Sequence, residues 1–118
     1  MGEGSENTDK LAVIWSSRDK DVALNMVFMY TRNSKLRKWW NDVRLVVWGP
    51  SAKLLTEDTE LQDQLHEVQK AGVELLACKA CSDNYGVTKN LEDLGIKVIY
   101  IGETLTGMLK SGWKVLTF

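Results

Sequence analysis

The two cysteines of this chain, Cys78 and Cys81, lie three residues apart and are the side chains best suited to covalent chemistry. Cys78 directly follows residues 73–77, a mostly apolar run that predicts a buried strand, and it precedes a short predicted helix over residues 80–85. Backbone N–H groups at a helix start favour a thiolate over a thiol. A thiolate at Cys78 can accept a sulfane sulfur and hold it as a persulfide. The simpler interpretation is a small apolar residue buried at a strand end.

The second cysteine, Cys81, lies on the same face as Cys78 if the segment between them is helical. It can then resolve Cys78 as a disulfide, which would make the pair a redox switch, or it can be a core side chain under the sheet. A thioredoxin-like site is disfavoured, because that fold requires a cis-proline after the cysteines and the only proline, Pro50, precedes them.

A metal site has little support in the sequence. Two cysteines and the single histidine, His66, are too few for a closed zinc site with four protein ligands. We therefore predict no metal and no cofactor, and a metal site shared between subunits is the alternative left open.

The segment after the second predicted strand, Gly49-Pro50-Ser51-Ala52-Lys53, could offer backbone amides and a lysine to a small anion. The protein would then be a non-catalytic binding module. The commoner explanation for such a segment is a strand-to-helix turn. The chain contains neither the G-x-G-x-x-G nor the P-loop pattern, so no motif indicates nucleotide binding.

Cations and aromatic residues are mixed just beyond the first predicted helix, at Arg37, Lys38, Trp39, Trp40 and Arg44. Such a mixture can contact RNA or a partner protein. Cations at a helix end and tryptophans packed at an edge or a subunit contact explain it without a ligand. The formal net charge of −1 provides no general attraction to nucleic acid or anionic membranes, so we expect no direct nucleic-acid binding.

Length and composition favour one globular domain. The chain has 118 residues, of which 44% are hydrophobic and 26% charged, as in ordinary soluble domains. Its apolar runs are too short to span a bilayer, and residues 1–6 are too polar and acidic for a signal peptide. We therefore predict a cytoplasmic protein with a disordered tail over residues 1–9 and a single domain over residues 10–118.

Five short apolar runs predict strands at residues 11–15, 43–48, 73–77, 96–101 and 113–118. Helical patterns lie between them, most clearly at residues 18–32 and 58–71, with a shorter one at 103–111. This alternation predicts an α/β fold with three α/β/α layers and a five-stranded parallel sheet. Ligands bind beyond the carboxyl ends of the strands in such sheets. We expect that edge to gather residues 16–17, 49–51, 78–81 and 102–104.

The first predicted helix has apolar residues on more than one face. Val22, Met26 and Tyr30 recur at helical spacing and are predicted to face the sheet, while Phe28 and Met29 lie off that face. Five tryptophans are also more than one small core readily holds. We therefore predict a homo-oligomer in which the first helix and the tryptophan pair after it contribute to the contacts.

The segment Gly72-Val73-Glu74-Leu75-Leu76-Ala77-Cys78-Lys79-Ala80-Cys81-Ser82-Asp83-Asn84-Tyr85-Gly86-Val87 resembles the DsrE/DsrF-like family. That family includes the sulfur-carrier subunits of tRNA thiolation and of dissimilatory sulfur oxidation. With the strand and helix pattern, the resemblance extends over about residues 10–118 and implies a DsrE-like fold. The family's reactive cysteine ends the third strand, eight residues before a glycine, and Cys78 and Gly86 have this spacing.

The resemblance implies a sulfur-relay protein that carries sulfane sulfur as a persulfide on Cys78, as a sulfurtransferase or a carrier. Many relatives lack the second cysteine, so the resemblance implies less for Cys81, which stays a second candidate site residue. It also implies sulfur donor and acceptor proteins as partners, both unidentified, and assembly as a trimer or hexamer. The binding module and the Cys78/Cys81 redox switch are the alternatives.

Overall fold

The protein forms one five-stranded sheet in which every strand pairs in parallel with its neighbours, in the order β4-β3-β2-β1-β5. The computed structural model describes residues 9–118, so the predicted tail over residues 1–9 lies almost wholly outside the described residues. The strands are β1 Lys10–Trp15, β2 Asp42–Val47, β3 Glu74–Cys78, β4 Lys97–Ile99 and β5 Lys114–Thr117. The predicted α/β architecture with a parallel sheet is confirmed.

Helices connect the strands on both faces of the sheet. The first helix, α1, is continuous through Lys20–Val22, a π-helical segment Ala23–Phe28, and Met29–Leu36. The others are α2 Pro50–Glu57, α3 Thr59–Lys70, α4 Lys79–Tyr85, α5 Thr88–Asp93 and α6 Ile101–Lys110. The chain adds β1 to β4 side by side and then crosses the sheet through α6, so that β5 pairs with the far side of β1.

The two faces of the sheet are covered unequally. The main core lies on one face, where α1, α2, α3 and α5 pack against side chains such as Val13, Trp15 and Leu45. On the opposite face, here called the α6 face, Ile101 and Met108 of α6 are the buried helix residues that pack against the strands. Because side chains alternate along a strand, Cys78 points to the α6 face while Ala77 points into the main core.

The predicted orientation of α1 is wrong in part. Phe28, expected off the sheet face, is only 3% exposed and packs edge-on against Trp15, with ring centroids 5.0 Å apart. Met26, expected to face the sheet, is 48% exposed. The reason is the π segment, whose wider turn changes the rotation per residue, so that a pattern counted at 3.6 residues per turn loses phase. Met29 is exposed, as expected for a residue off the sheet face. The helix runs from Lys20 to Leu36, whereas the sequence predicted residues 18–32.

The other helix predictions differ in their bounds rather than in kind. Leu61, Leu65 and Val68 form the buried face of α3, as their spacing predicted. The predicted fourth strand over residues 96–101 is shorter, because α6 already begins at Ile101. Residues 102–104 therefore belong to a helix and not to a strand-end loop. Within residues 9–118, none of the helices is long and apolar enough to cross a membrane.

Candidate functional site

Cys78 is the last residue of β3 and the N-cap of α4, so it lies at the carboxyl edge of the sheet. In the strand register it lies opposite Ile99 of β4, and Ala77 before it lies opposite Val47 of β2. Its side chain is 6% exposed and packs within the apolar cluster of the α6 face. The sequence therefore predicted both the strand end and the helix start correctly.

The helix start does not cap the Cys78 sulfur in the expected way. Among the described residues, α4 has no hydrogen bond from a first-turn N–H to the side chain of its N-cap. The side chain is instead directed to the α6 face, where Cys81 approaches it. The direct backbone stabilisation of a Cys78 thiolate that the sequence suggested is therefore absent from this conformation of the chain.

Cys81 occupies the first turn of α4 and is half-buried beside Cys78. Both cysteines are free thiols in this structure. Burial and a hydrogen bond with Cys78 raise the pKa of the Cys81 thiol above its ordinary value. Cys81 therefore lies beside Cys78 in the apolar cluster of the α6 face. The predicted shared face of the two cysteines is present.

Two N–H groups from the end of β2 oppose this rise in the pKa of Cys81. They are the backbone N–H of Gly49 and the indole N–H of Trp48, both of which approach the Cys81 sulfur and stabilise its ionised form. Trp48 follows the last residue of β2, and the pairing of Val47 with Ala77 brings it beside Cys78 on the α6 face. Sequence reasoning did not single out Trp48. Its position directly after Val47, at the end of the second predicted strand, could have indicated that it lies at the same sheet edge as Cys78.

The Gly49-Pro50-Ser51 segment is a strand-to-helix turn. Gly49 adopts φ +74°, a conformation that L side chains rarely adopt, and Pro50 takes the first position of α2. The hydroxyl of Ser51 is buried and donates to the carbonyl oxygens of Trp15 and Trp48. This hydroxyl therefore holds the ends of β1 and β2 together. Lys53, which the sequence placed in the same candidate anion site, is exposed.

A short polar network lies on the outer side of α4. Lys79 donates to Asp83 over 2.8 Å, which raises the pKa of Lys79 and lowers that of Asp83. The ammonium of Lys79 also lies 5.6 Å from the ring centre of Tyr100, the N-cap of α6. Thr88 donates to Asp83 as well. Lys79 is thus paired with a carboxylate rather than directed at the cysteines.

The predicted cluster of cations and tryptophans does not form one surface. Trp40 donates to the hydroxyl of Tyr30 over 3.2 Å, and Trp39 lies half exposed against the same ring, with centroids 5.9 Å apart. Arg44, by contrast, is on the α6 face, where it stacks on Trp113 at 4.5 Å and pairs with Glu74 at 2.7 Å. The tryptophan pair and Arg44 therefore belong to different faces of the sheet.

The metal alternative draws no support from the placement of the side chains. Within residues 9–118, no three side chains of the types His, Cys, Asp or Glu come together as a possible metal site. His66 is an exposed residue of α3, on the opposite side of the sheet from the cysteines.

Comparison with known proteins places the fold and the site in context. A conserved protein of unknown function from Bacteroides thetaiotaomicron is 41% identical to this chain, with a TM-score of 0.90 over 93% of this chain and 95% of that one. The ychN protein of E. coli is 17% identical, with a TM-score of 0.67 over 92% of this chain and 98% of that one. No curated protein matches the chain.

A protein of unknown function from Methanobacterium thermoautotrophicum is 21% identical, with a TM-score of 0.69 over 92% of this chain and 99% of that one. This likeness and that to the E. coli protein concern the fold alone. The sequence profile of the DsrE/DsrF-like family matches residues 9–118, which is the whole described part of the chain. This protein belongs to the DsrE/DsrF-like family.

Proposed function

We propose that this protein is a sulfur-relay protein that carries sulfane sulfur as a persulfide on Cys78. The observation that carries the proposal is the position of Cys78 at the end of β3 and the start of α4, at the edge where parallel sheets bind their ligands. Membership of the DsrE/DsrF-like family supports the same role. Sulfur would arrive from a donor protein and leave to an acceptor protein.

The surroundings of Cys78 suit a protected sulfur carrier. Its 6% exposure limits the access of water and of competing thiols to Cys78. Apolar neighbours on the α6 face, including Leu76 and Ile99, surround it rather than charged groups. A donor protein must therefore meet the chain at this edge, where Tyr100 and Trp48 lie beyond the ends of the two strands that flank β3.

The direct test is intact-mass analysis after incubation with a cysteine desulfurase and cysteine. At short incubation times wild-type protein is expected to gain one sulfur atom, and Cys78→Ser is expected to gain none. Cys81→Ser is the matched control, because it removes the neighbouring thiol and keeps Cys78. An equal adduct on Cys78→Ser would contradict the assignment to Cys78.

The alternative of a non-catalytic anion-binding module has less support. Its candidate turn uses the hydroxyl of Ser51 to bond the carbonyl oxygens of Trp15 and Trp48, and this leaves fewer donors for a ligand. If neither wild-type protein nor Cys81→Ser gains sulfur in the mass experiment, the binding module becomes the better explanation.

A further inference from the structure

Trp48 and Cys81 pack against the same apolar cluster as Cys78 on the α6 face. The indole N–H of Trp48 and the backbone N–H of Gly49 also favour the ionised form of the Cys81 thiol by lowering its pKa, against the rise caused by burial and Cys78. They come from the end of β2, whereas Cys81 belongs to α4, so tertiary packing brings them together. Donors aimed at a sulfur stabilise it when it becomes an anion.

The segment that carries these donors is held rigidly. The N–H of Trp48 donates to the carbonyl of Trp15 over 3.0 Å, and Ser51 donates to the carbonyls of Trp15 and Trp48. Between them, Gly49 takes the φ of +74° that turns its peptide. A rigid turn holds its N–H groups in place without the entropic cost of ordering them when an anion forms.

The two cysteines have the spacing and placement needed for a disulfide. Cys78 is the N-cap of α4 and Cys81 lies in its first turn, so their side chains occupy neighbouring positions on one side of the helix. Residues three apart on a helix have Cβ atoms about 5–6 Å apart, close to the range of about 3.5–4.5 Å in disulfides. Formation of the disulfide therefore requires the first turn of α4 to bring the two Cβ atoms closer.

We propose that Cys81, assisted by Trp48 and Gly49, is a resolving thiol that discharges the Cys78 persulfide as sulfide. The Cys81 thiol gives its proton to solvent, and the resulting thiolate attacks the Cys78 sulfur that is bonded to Cβ. The bond between that sulfur and the outer sulfur breaks, and the outer sulfur leaves as HS⁻ with the electron pair. The outer sulfur is reduced by two electrons, and the two cysteine thiols are oxidised to a Cys78–Cys81 disulfide.

The cycle closes when an external dithiol reduces the disulfide by thiol exchange and returns both cysteines to thiols. Among the described residues, Cys78 is the titratable group that acts on the pKa of Cys81. The ammonium of Lys79 is paired with the carboxylate of Asp83 and is not directed at the two sulfurs. The role of Cys81 rests on the proposed function of Cys78. It adds that the sulfur leaves as sulfide when no acceptor protein is present.

The test is a single-turnover experiment with the full chain and one equivalent of inorganic polysulfide. Samples are quenched at intervals with an alkylating reagent, and mass spectrometry measures the fractions of persulfide and disulfide while released sulfide is trapped separately. Wild-type protein is expected to pass from persulfide to disulfide with one equivalent of sulfide. Cys81→Ser is expected to keep its Cys78 persulfide at least about tenfold longer, since it lacks the attacking thiol.

Trp48→Phe tests the role of the indole N–H of Trp48 as a hydrogen-bond donor to Cys81. It should load normally and discharge roughly three- to tenfold more slowly near neutral pH, because a donor to an anionic sulfur is lost. Its rate should approach that of wild type as the pH rises and Cys81 ionises without help. Trp113→Phe is the matched control, since it removes an indole from the same apolar cluster at the far end of the sheet and should discharge like wild type.

The outcomes separate the two proposals. A wild-type persulfide as long-lived as that of Cys81→Ser would overturn the resolving role and leave the carrier function intact. A Trp48→Phe rate equal to wild type at every pH would overturn the assignment of Trp48. If Cys81→Ser forms no persulfide on Cys78, the carrier function itself fails, and the resolving role fails with it.

Discussion

Replacement of Phe28 by alanine is the sharpest test of how α1 is oriented. A helix of regular pitch places Phe28 and Met29 away from the sheet, whereas the π segment brings Phe28 into the main core and leaves Met29 52% exposed. Phe28 and Met29 are adjacent in sequence, so the two alanine variants change almost the same place in the chain. The comparison therefore isolates burial from local helix propensity.

The magnitude follows from the burial of Phe28. A buried aromatic side chain removes roughly 150–250 Å² from water, which at about 25 cal/mol per Å² corresponds to about 4–6 kcal/mol as an upper estimate. Phe28 also makes an edge-on contact with Trp15, at 5.0 Å between ring centres and an interplanar angle of 77°. We expect Phe28→Ala to lower the free energy of unfolding by about 3–5 kcal/mol and Met29→Ala by less than about 0.5 kcal/mol.

Urea denaturation followed by tryptophan fluorescence and circular dichroism measures both variants. Phe28→Leu is a milder variant that keeps the measurement possible if Phe28→Ala does not fold, and it should lie between Phe28→Ala and wild type. Equal losses for Phe28→Ala and Met29→Ala, or a larger loss for Met29→Ala, would refute the π-helical orientation. A concentration-dependent loss in Met29→Ala alone would instead place Met29 in a subunit contact.

Three further predictions use other parts of the molecule. The N–H of Leu61 and the ammonium of Lys20 lower the pKa of Asp58, so its contribution to stability is present above the unfolded pKa and is lost as the pH falls through the folded value. Asp58→Asn keeps a capping side chain and should lose less stability than wild type between neutral and acidic pH in urea titrations; an unchanged acid profile would contradict this. Gly49→Ala should cost about 1–3 kcal/mol although its Cβ meets nothing within 4 Å, because φ is +74°; a neutral result in the same titration would rule out backbone strain. Light scattering at micromolar concentration should reveal a trimer or hexamer, and Met29→Glu should weaken it if α1 forms the contact; a monomeric wild type would reject assembly.

Local sequence patterns were enough to predict the architecture. Alternating apolar runs and helical periods identified five strands and their parallel pairing, because both signals arise within a few consecutive residues. The face of α3 was also correct, since Leu61, Leu65 and Val68 follow a regular helical period. Cys78 was placed at a strand end for the same reason, as it directly follows an apolar run.

Regular periodicity failed where the backbone departs from it. The π segment of α1 is stabilised by packing of Phe28 and Val27 against the sheet. The local sequence pattern does not indicate that this turn contains an extra residue. The end of β4 was misplaced because an apolar residue such as Ile101 fits the pattern of a strand as well as that of a helix. Only its packing on the α6 face identifies it as a helix residue. In both cases tertiary contacts override the intrinsic preference of the segment.

The sequence by itself determined that a thiol stands at the carboxyl end of β3 and that a second thiol follows it in the next helix, because these relations are local. Only the tertiary structure decided which groups surround the thiols. The order of strands places the end of β2 beside β3, and this brings Trp48 and Gly49 to Cys81 across a large separation in sequence. The same packing holds Arg44 against Trp113 and away from the other tryptophans. Strand order arises from the burial of whole faces, so contacts between strand ends cannot be read from either segment alone.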